Sequence, residues 1–499
     1  MSVVGQRLQP TIFERSRPGR GGGKIPHPPK DALDRVPADQ LRTTPPALPE
    51  MNEPDVVRHY VNLSQLNYAI DTGFYPLGSC TMKFNPKLNE WAARLPGFAN
   101  LHPLAPDELA QGTLELLWDL EQSLAEVGGM KAVTLQPAAG AQGELTGILM
   151  IRAYHRARGD VDRTEVLVPD SSHGTNPATA SMAGFKTVTV PSAADGGVDV
   201  DAFRSALGPR TAAVMITNPS TLGLFESRIG ELLAAVHEAG ALAYMDGANL
   251  NAILGKFKPG EAGFDVMHIN VHKTFSTPHG GGGPGAGPVG VGEKLIPYLP
   301  GPRVLREADG TYRLERPGER PTSIGRMRSF VGNTGVLVRA WTYISAHGAS
   351  GLREVSEDAV LAANYMKARL GGSYDIPYAR PCKHEFIASA ATIKHETGVR
   401  TLDIAKRLID YGFHPPTIYF PLITDEGMLI EPTETESVET LDAFVDALVA
   451  IAAEAHDHPD LVTSAPHDAP VRRLDEATAA RQPNLRWRPM AGAETPCPD

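Results

Sequence analysis

The chain has 499 residues, with 47 Lys and Arg against 58 Asp and Glu, for a formal charge of −11. Hydrophobic residues make up 42% of it, which is enough to build cores and excludes wholesale disorder. The acidic balance argues against general nucleic-acid binding, and no apolar run approaches the roughly 20 residues needed to span a bilayer.

Residues 1–30 lack the apolar centre of a secretory signal and are locally basic, with Arg7, Arg15, Arg17, Arg20, Lys24 and Lys30 against Glu14. Prolines and glycines break any amphipathic helix there, so the reading is an extended arm laid over another surface. Residues 51–70 carry Val56, Val57, Tyr60 and Leu63 at helical spacing. A Gly/Pro-rich stretch, DTGFYPLGSCTMKFNP, interrupts that pattern at 71–86. From about 115 to 300 helical segments alternate with short apolar strands at 132–136, 165–170, 187–190, 212–217, 241–246 and 266–270. Such alternation predicts an α/β fold with a large, mostly parallel sheet covered on both faces. Residues 335–372 read as a long helical connection, and 384–465 as a smaller C-terminal α+β domain with strands EFIASAA, IYFPLI and GMLIEP. The partition is then an arm and helix at 1–70, a large domain at 71–340, a small domain at 341–465 and a polar tail at 466–499. The length suits two large domains or about three ordinary ones. Cys80, Cys382 and Cys497 are too scattered for a disulfide framework or a CxxC metal site, which points to a reducing cytoplasmic compartment.

Four segments carry chemistry. In VMHINVHKTFSTPHGGGGPGAGPVGV (266–291), Lys273 follows a strand and precedes Gly280–Gly283. A flexible linker would not begin at the end of a buried strand. A zinc site from His268, His272 and His279 wants a helix for its i,i+4 pair and a carboxylate, and the segment offers a strand and no carboxylate nearby, so no metal site is assigned. A lysine in a glycine-lined pocket suits Schiff-base chemistry instead. Asp246 ends the strand of ALAYMDGANL, 27 residues before the lysine. It reads either as a turn cap with Gly247 or as the carboxylate that keeps a pyridine nitrogen protonated. In TLQPAAGAQGELTG a strand runs through a small-residue turn into a helix, where the N–H groups of Gly140, Ala141 and Gln142 can meet a phosphate. His173, in LVPDSSHGTNPATA, stands past a strand end, either structural or stacked on an aromatic ring. Phosphate turn, histidine, aspartate and lysine, in that order along one sheet edge, are the pattern of a fold-type I pyridoxal-phosphate enzyme; a decarboxylase, aldolase and desulfurase all share it.

The strings YPLGSCTMKFNP (75–86), DSSHGTNPATA (170–180), TNPSTLGLFE (217–226), MDGANLNAILG (245–255) and the lysine segment from Asn270 resemble those of the glycine cleavage system P-protein. So do SIGRMRSFVGNTGVLVRAWTYI (323–344), FHPPTIYFPLITDEGMLIEPTETES (413–437) and IFERSRPGR in the arm. The resemblance covers nearly the whole chain except the last ~35 residues, and is to the lysine-bearing subunit 2. It implies pyridoxal 5'-phosphate covalent to Lys273, with Asp246 at its pyridine nitrogen, His173 on its ring and Gly140 and Ala141 at its phosphate. Asn270 and His272 would shape the site, and GNTG (332–335), with Thr334, would reach a phosphate in a neighbouring subunit. It implies decarboxylation of glycine and transfer of the aminomethyl group to the lipoyl group of H-protein. It also implies an α2β2 assembly with subunit 1, and no nucleic-acid or membrane partner. Another fold-type I lyase, or a non-catalytic scaffold subunit, are the rival readings.

Overall fold

In the computed structural model, which describes residues 8–21, 29, 31–44, 46–280 and 285–486, the strands come in chain order as follows. They are β1 (Ala132–Thr134), β2 (Glu165–Pro169), β3 (Lys186–Val190), β4 (Thr211–Thr217), β5 (Leu242–Gly247), β6 (Val266–Ile269) and β7 (Val289–Val291), which form one seven-stranded sheet in the order β1-β7-β6-β5-β4-β2-β3. Neighbours from β3 to β6 run parallel, while β7 lies antiparallel between β6 and β1. The sheet is thus the α/β layer that the sequence predicts, with β7 added. At three residues, β7 is too short to show a period, and Gly290 at its centre lets the strand close on Met130, whose Cγ a Cβ there would meet at 2.7 Å.

Helices cover both faces, as parallel sheets require. One face buries Leu117, Leu120 and Leu124 of the helix Gln111–Gly128 with Leu232 and Val236; the other buries Ile148 and Ile151 of the helix Gly140–Ala157 with Tyr244. After the small hairpin β8 (Val304–Arg306) and β9 (Tyr312–Leu314), a helix spans Thr334–Leu370. Gly348, at φ 61°, breaks it into two rods. The first rod packs on the large core through Leu337 and Tyr343; the second enters a separate core through Met366 and Leu370.

That second core lies under a sheet ordered β10 (Phe386–Ser389), β12 (Gly427–Ile430), β11 (Thr417–Ile418). Of the IYFPLI strand only Ile418 remains in β11, because Tyr419 turns to φ 56° and Pro421 has no N–H to give a ladder. Phe74, from the Gly/Pro-rich stretch, packs in this core against Phe444.

The helix Glu53–Gln65 forms where its spacing predicts, capped by Asn52, but Val57, Tyr60 and Leu63 are exposed and His59 is its buried residue. The arm is not extended throughout. Thr11 and Glu14 form a capping box on Ile12–Arg15, and Gly19 N–H donates to Glu50 at 2.7 Å, so the arm folds back on its own chain. Arg7, Lys24, Lys30, Gly281–Gly283 and Cys497 lie outside the described residues. Among the described residues no helix is long and apolar enough to cross a membrane.

Candidate active site

The carboxyl ends of β1, β2, β4, β5 and β6 open on one cleft of ≈160 Å³. Its walls bring together Gly140, Ala141, His173, Asp246, Asn270, His272 and Lys273, from segments spread over more than a hundred residues of chain. Gln142 and Thr334 are not in the wall. The Gln142 carboxamide accepts from Ala138 N–H (2.7 Å) and donates to Met327 O (3.0 Å), so it braces the turn from behind. Thr334 opens the long helix, and its neighbour Asn333 donates instead to Ala138 O (3.2 Å) and Gly285 O (2.5 Å).

Lys273 stands just beyond the end of β6, on the short helix Val271–Thr274, where the N–H groups of Lys273 and Thr274 donate to Asn270 O and that of Val271 to Ala286 O. Its amine donates to Ser79 O at 2.8 Å. Behind it Lys83 is buried, donating from Nζ to Thr274 O (2.9 Å), Asn251 Oδ1 (2.9 Å) and Glu434 Oε1 (2.7 Å), with Tyr343 OH 3.3 Å away. Burial works against the Lys83 charge, but Glu434 outweighs it and holds the ammonium above its ordinary pKa.

Asp246 is fixed from three sides: Asn176 Nδ2 donates to Oδ2 (3.0 Å), Ala248 N–H to Oδ1 (2.9 Å), and His268 Nε2 lies 3.3 Å from Oδ1. Burial pushes the Asp246 carboxyl up; His268 and the two hydrogen bonds outweigh it and keep the group below the ordinary carboxylate value. Tyr244 OH lies 2.8 Å from His268 Nδ1, and burial keeps that phenol protonated, so it donates and leaves the His268 proton on Nε2, facing Asp246. Glu144 accepts from Thr175 Oγ1 (2.8 Å) and Asn176 Nδ2 (3.0 Å); burial, then Asp246, push it up to about 8. The site thus keeps one carboxylate charged and its neighbour protonated at neutral pH. His173 faces the cleft, its Nδ1 accepting from Thr175 N–H at 3.2 Å, and burial lowers its pKa.

At the phosphate turn the Gly140 backbone meets Asn270, whose Oδ1 a Cβ there would approach to 2.3 Å. Asn270 Oδ1, His272 Nδ1, Thr217 Oγ1 and Asn176 Oδ1 are buried without a hydrogen-bond partner. Three of these residues, Thr217, Asn270 and His272, line the cleft. Gly287 lies against the same turn, where a Cβ would stand 2.1 Å from Ala139 O. The three imidazoles weighed for zinc part company: His268 serves Asp246, while His272 and His279 meet edge to face at 5.1 Å. Burial drives His272 down to about 3. The carboxylate that seemed missing beside His268 is Asp246, brought there by the parallel register of β5 on β6.

Sequence reasoning missed Ser79, Lys83, Glu144 and Asn176. It also missed a buried cluster behind the loop 79–81, in which His384 Nε2 lies 3.8 Å from both Glu385 Oε1 and Glu431 Oε1. The signal was present in GSCTMK, KHEF and LIEPTE, but the contacts of the first with the other two span 306 and 350 residues of chain.

The family model for the glycine cleavage system P-protein matches residues 96–407, and that for the glycine dehydrogenase C-terminal domain matches 355–471. The chain is 57% identical over 484 residues to "Probable glycine dehydrogenase (decarboxylating) subunit 2" of Halalkalibacterium halodurans, covering 96% of this chain and 98% of that one. It is 58% identical over 483 residues to the protein of the same description from Methylococcus capsulatus, with 96% and 99% covered. Among solved structures, a glycine decarboxylase (P-protein) of the glycine cleavage system in inhibitor-bound form shares the fold at TM-score 0.71 and 23% identity, over 85% of this chain and 95% of that one. Oryza sativa TDC with PLP and tryptamine shares it at 0.64 and 14%, over 84% and 91%.

Proposed function

The chain belongs to the glycine cleavage system P-protein family, and on that premise we propose that it is the lysine-bearing subunit of a pyridoxal-phosphate-dependent glycine dehydrogenase (decarboxylating). The observation that carries the reading is the cleft, where Lys273, Asp246, His173 and the Gly140 turn converge beside buried polar atoms without partners. These residues fit the cofactor. Lys273 would hold it covalently, the N–H groups at Gly140 and Ala141 its phosphate, Asp246 its pyridine nitrogen and His173 a ring face, with Asn270 and His272 shaping the wall. When bound, pyridoxal phosphate supplies a ring that takes up the electron pair left on the glycine α-carbon as CO2 departs.

The chain's own residues set the conditions for that chemistry. Asp246 stays ionised in a buried place because Asn176, Ala248 and His268 satisfy it, so it can hold a proton on a ring nitrogen throughout. Glu144, held protonated, adds no second negative charge that would compete for that proton. The Lys273 amine has a place to go when displaced, the Ser79 carbonyl. The glycine contacts that pack the lysine segment on the phosphate turn exclude water there, which limits reprotonation at carbon.

On the same reading the aminomethyl group passes to the lipoyl group of H-protein, and the chain works with a subunit 1 in an α2β2 assembly. The name "subunit 2" carried by the relatives supports a partner subunit. So does a run of exposed apolar side chains, Phe84, Leu88 and Trp91, just after the site loop, with Trp91 61% exposed. We place the protein in the cytoplasm, a reading supported by Cys80 and Cys382 both being free thiols. Borohydride reduction of the holo chain followed by peptide mapping tests the central assignment: the cofactor should be fixed on Lys273, and fixation on another lysine would overturn it.

A further inference from the structure

The loop that receives the Lys273 amine belongs, by its hydrogen bonds, to the small domain. Leu77 pairs with Ile430, Gly78 N–H donates to Leu429 O (3.2 Å), and the Thr417 hydroxyl donates to Gly78 O (2.8 Å). The approach is so close that a Cβ at Gly78 would stand 2.2 Å from Leu429 Cγ. Beyond it the chain turns left-handed at two residues that are not glycine, Ser79 (φ 63°) and Thr81 (φ 49°). Such residues are strained and persist only where their surroundings over-determine them.

Two fully buried carboxyl groups do so here. Glu385 Oε2 accepts from Ser79 N–H at 2.6 Å, and Glu431 Oε2 accepts from Thr81 N–H at 2.9 Å. Asn249 Nδ2 lies 3.4 Å from the other Glu385 oxygen and steadies that carboxyl. The same Ser79 whose N–H is held by Glu385 offers its carbonyl to Lys273 Nζ at 2.8 Å. Glu385 is fully buried and is not among the residues that line the cleft, so its contacts with the site run through the Ser79 peptide and Asn249.

We propose that Glu385 is a positioning residue for Lys273: by fixing the Ser79 peptide in its left-handed turn, it holds the carbonyl on which the free lysine amine rests. The inference rests on the reading of Lys273 as the cofactor-bearing lysine. It makes the small domain, through Glu385 just ahead of β10, the element that sets where a displaced amine waits. An acceptor oxygen is all that the Ser79 N–H needs, so a glutamine amide should serve in its place, and an alanine should not.

The test uses the full-length chain freed of cofactor, an amine-acylating reagent and mass spectrometry of the Lys273 and Lys83 peptides. Lys83, buried against Glu434, reports whether the fold is intact. Glu385→Ala should raise the labelling rate of Lys273 about tenfold, as expected for loss of one hydrogen bond, with Lys83 still protected. Glu385→Gln should stay within about twofold of the parent. No change in Glu385→Ala, or an equal rise in both variants, overturns the proposal. If Glu385→Ala exposes Lys83, Glu385→Leu decides, since it fills the same space but offers the Ser79 N–H no acceptor. A severalfold rise at Lys273 with Lys83 protected supports the proposal, and an unchanged rate overturns it. Borohydride fixation of cofactor is read separately, so failure of the Lys273 assignment is distinguishable from failure of the positioning role.

Discussion

Gly140→Ala is the substitution whose cost can be worked most directly. Built on the existing backbone, the new Cβ would stand 2.3 Å from Asn270 Oδ1 and 3.0 Å from its Cγ and Nδ2. An ordinary contact needs about 1 Å more, so either the first turn of the Gly140 helix or the Asn270 side chain must move. The turn is braced by Gln142 and Asn333, and Asn270 is buried in the wall of the cleft, so neither moves without cost. Overpacking of this kind costs about 1–3 kcal/mol. Most of it should fall on the cofactor-loaded state, because the displaced groups are those proposed to bind phosphate. The expected result is a loss of pyridoxal-phosphate affinity of about 5–150-fold, read by titrating cofactor into the cofactor-free chain. Gly230→Ala, with nothing within 4 Å of its Cβ, is the control and should bind normally. Adding Asn270→Ala to Gly140→Ala removes the clash and should recover part of the affinity. Affinity within twofold of the parent in the single variant, or no recovery in the double, would refute the steric reasoning.

Asp246→Asn should retain cofactor but lose activity by about 30–150-fold, the worth of one charge-assisted hydrogen bond of 2–3 kcal/mol, in a glycine–bicarbonate exchange assay. Lys83→Met leaves Glu434 buried and unpaired, so denaturant midpoints should fall by the equivalent of about 3–5 kcal/mol, with Glu434→Gln in the same background restoring part of the loss. His272 sits near 3 when folded, against about 6.5 in the unfolded chain, so between those values the unfolded state binds a proton that the folded state refuses. Stability is therefore lost as pH falls through that window, and His272→Gln should flatten the slope by up to about 1.4 kcal/mol per pH unit, seen in urea midpoints at pH 7 and pH 5. Trp91→Ser should leave the midpoint of the isolated chain within about 0.5 kcal/mol while weakening co-purification with the partner subunit.

Much of this site could be read along the chain because parallel sheets send their chemistry to one edge. Asp246 and His173 follow apolar strands, so topology alone carries them to the same cleft. His268 was legible in principle: β5 and β6 are neighbours, and aligning them puts it opposite Asp246, yet distance along the chain made the carboxylate look absent. Lys83, Glu385 and Glu431 were not legible, since their meaning lies in contacts 351, 306 and 350 residues away, between the loop at 79–83 and the segments around the C-terminal sheet. Hydrophobic period also misleads at the helix Glu53–Gln65, where spacing fits a buried face and Val57 and Tyr60 are nonetheless exposed. Period locates a helix; it does not say what covers it.

The most direct test of the whole account is exchange of labelled bicarbonate into the carboxyl group of glycine by this chain, combined with its partner subunit and a lipoylated carrier. The account predicts exchange that requires pyridoxal phosphate, rises with the lipoyl carrier and is abolished by Lys273→Ala. Cofactor-loaded protein that releases CO2 from another amino acid while leaving glycine untouched would contradict it.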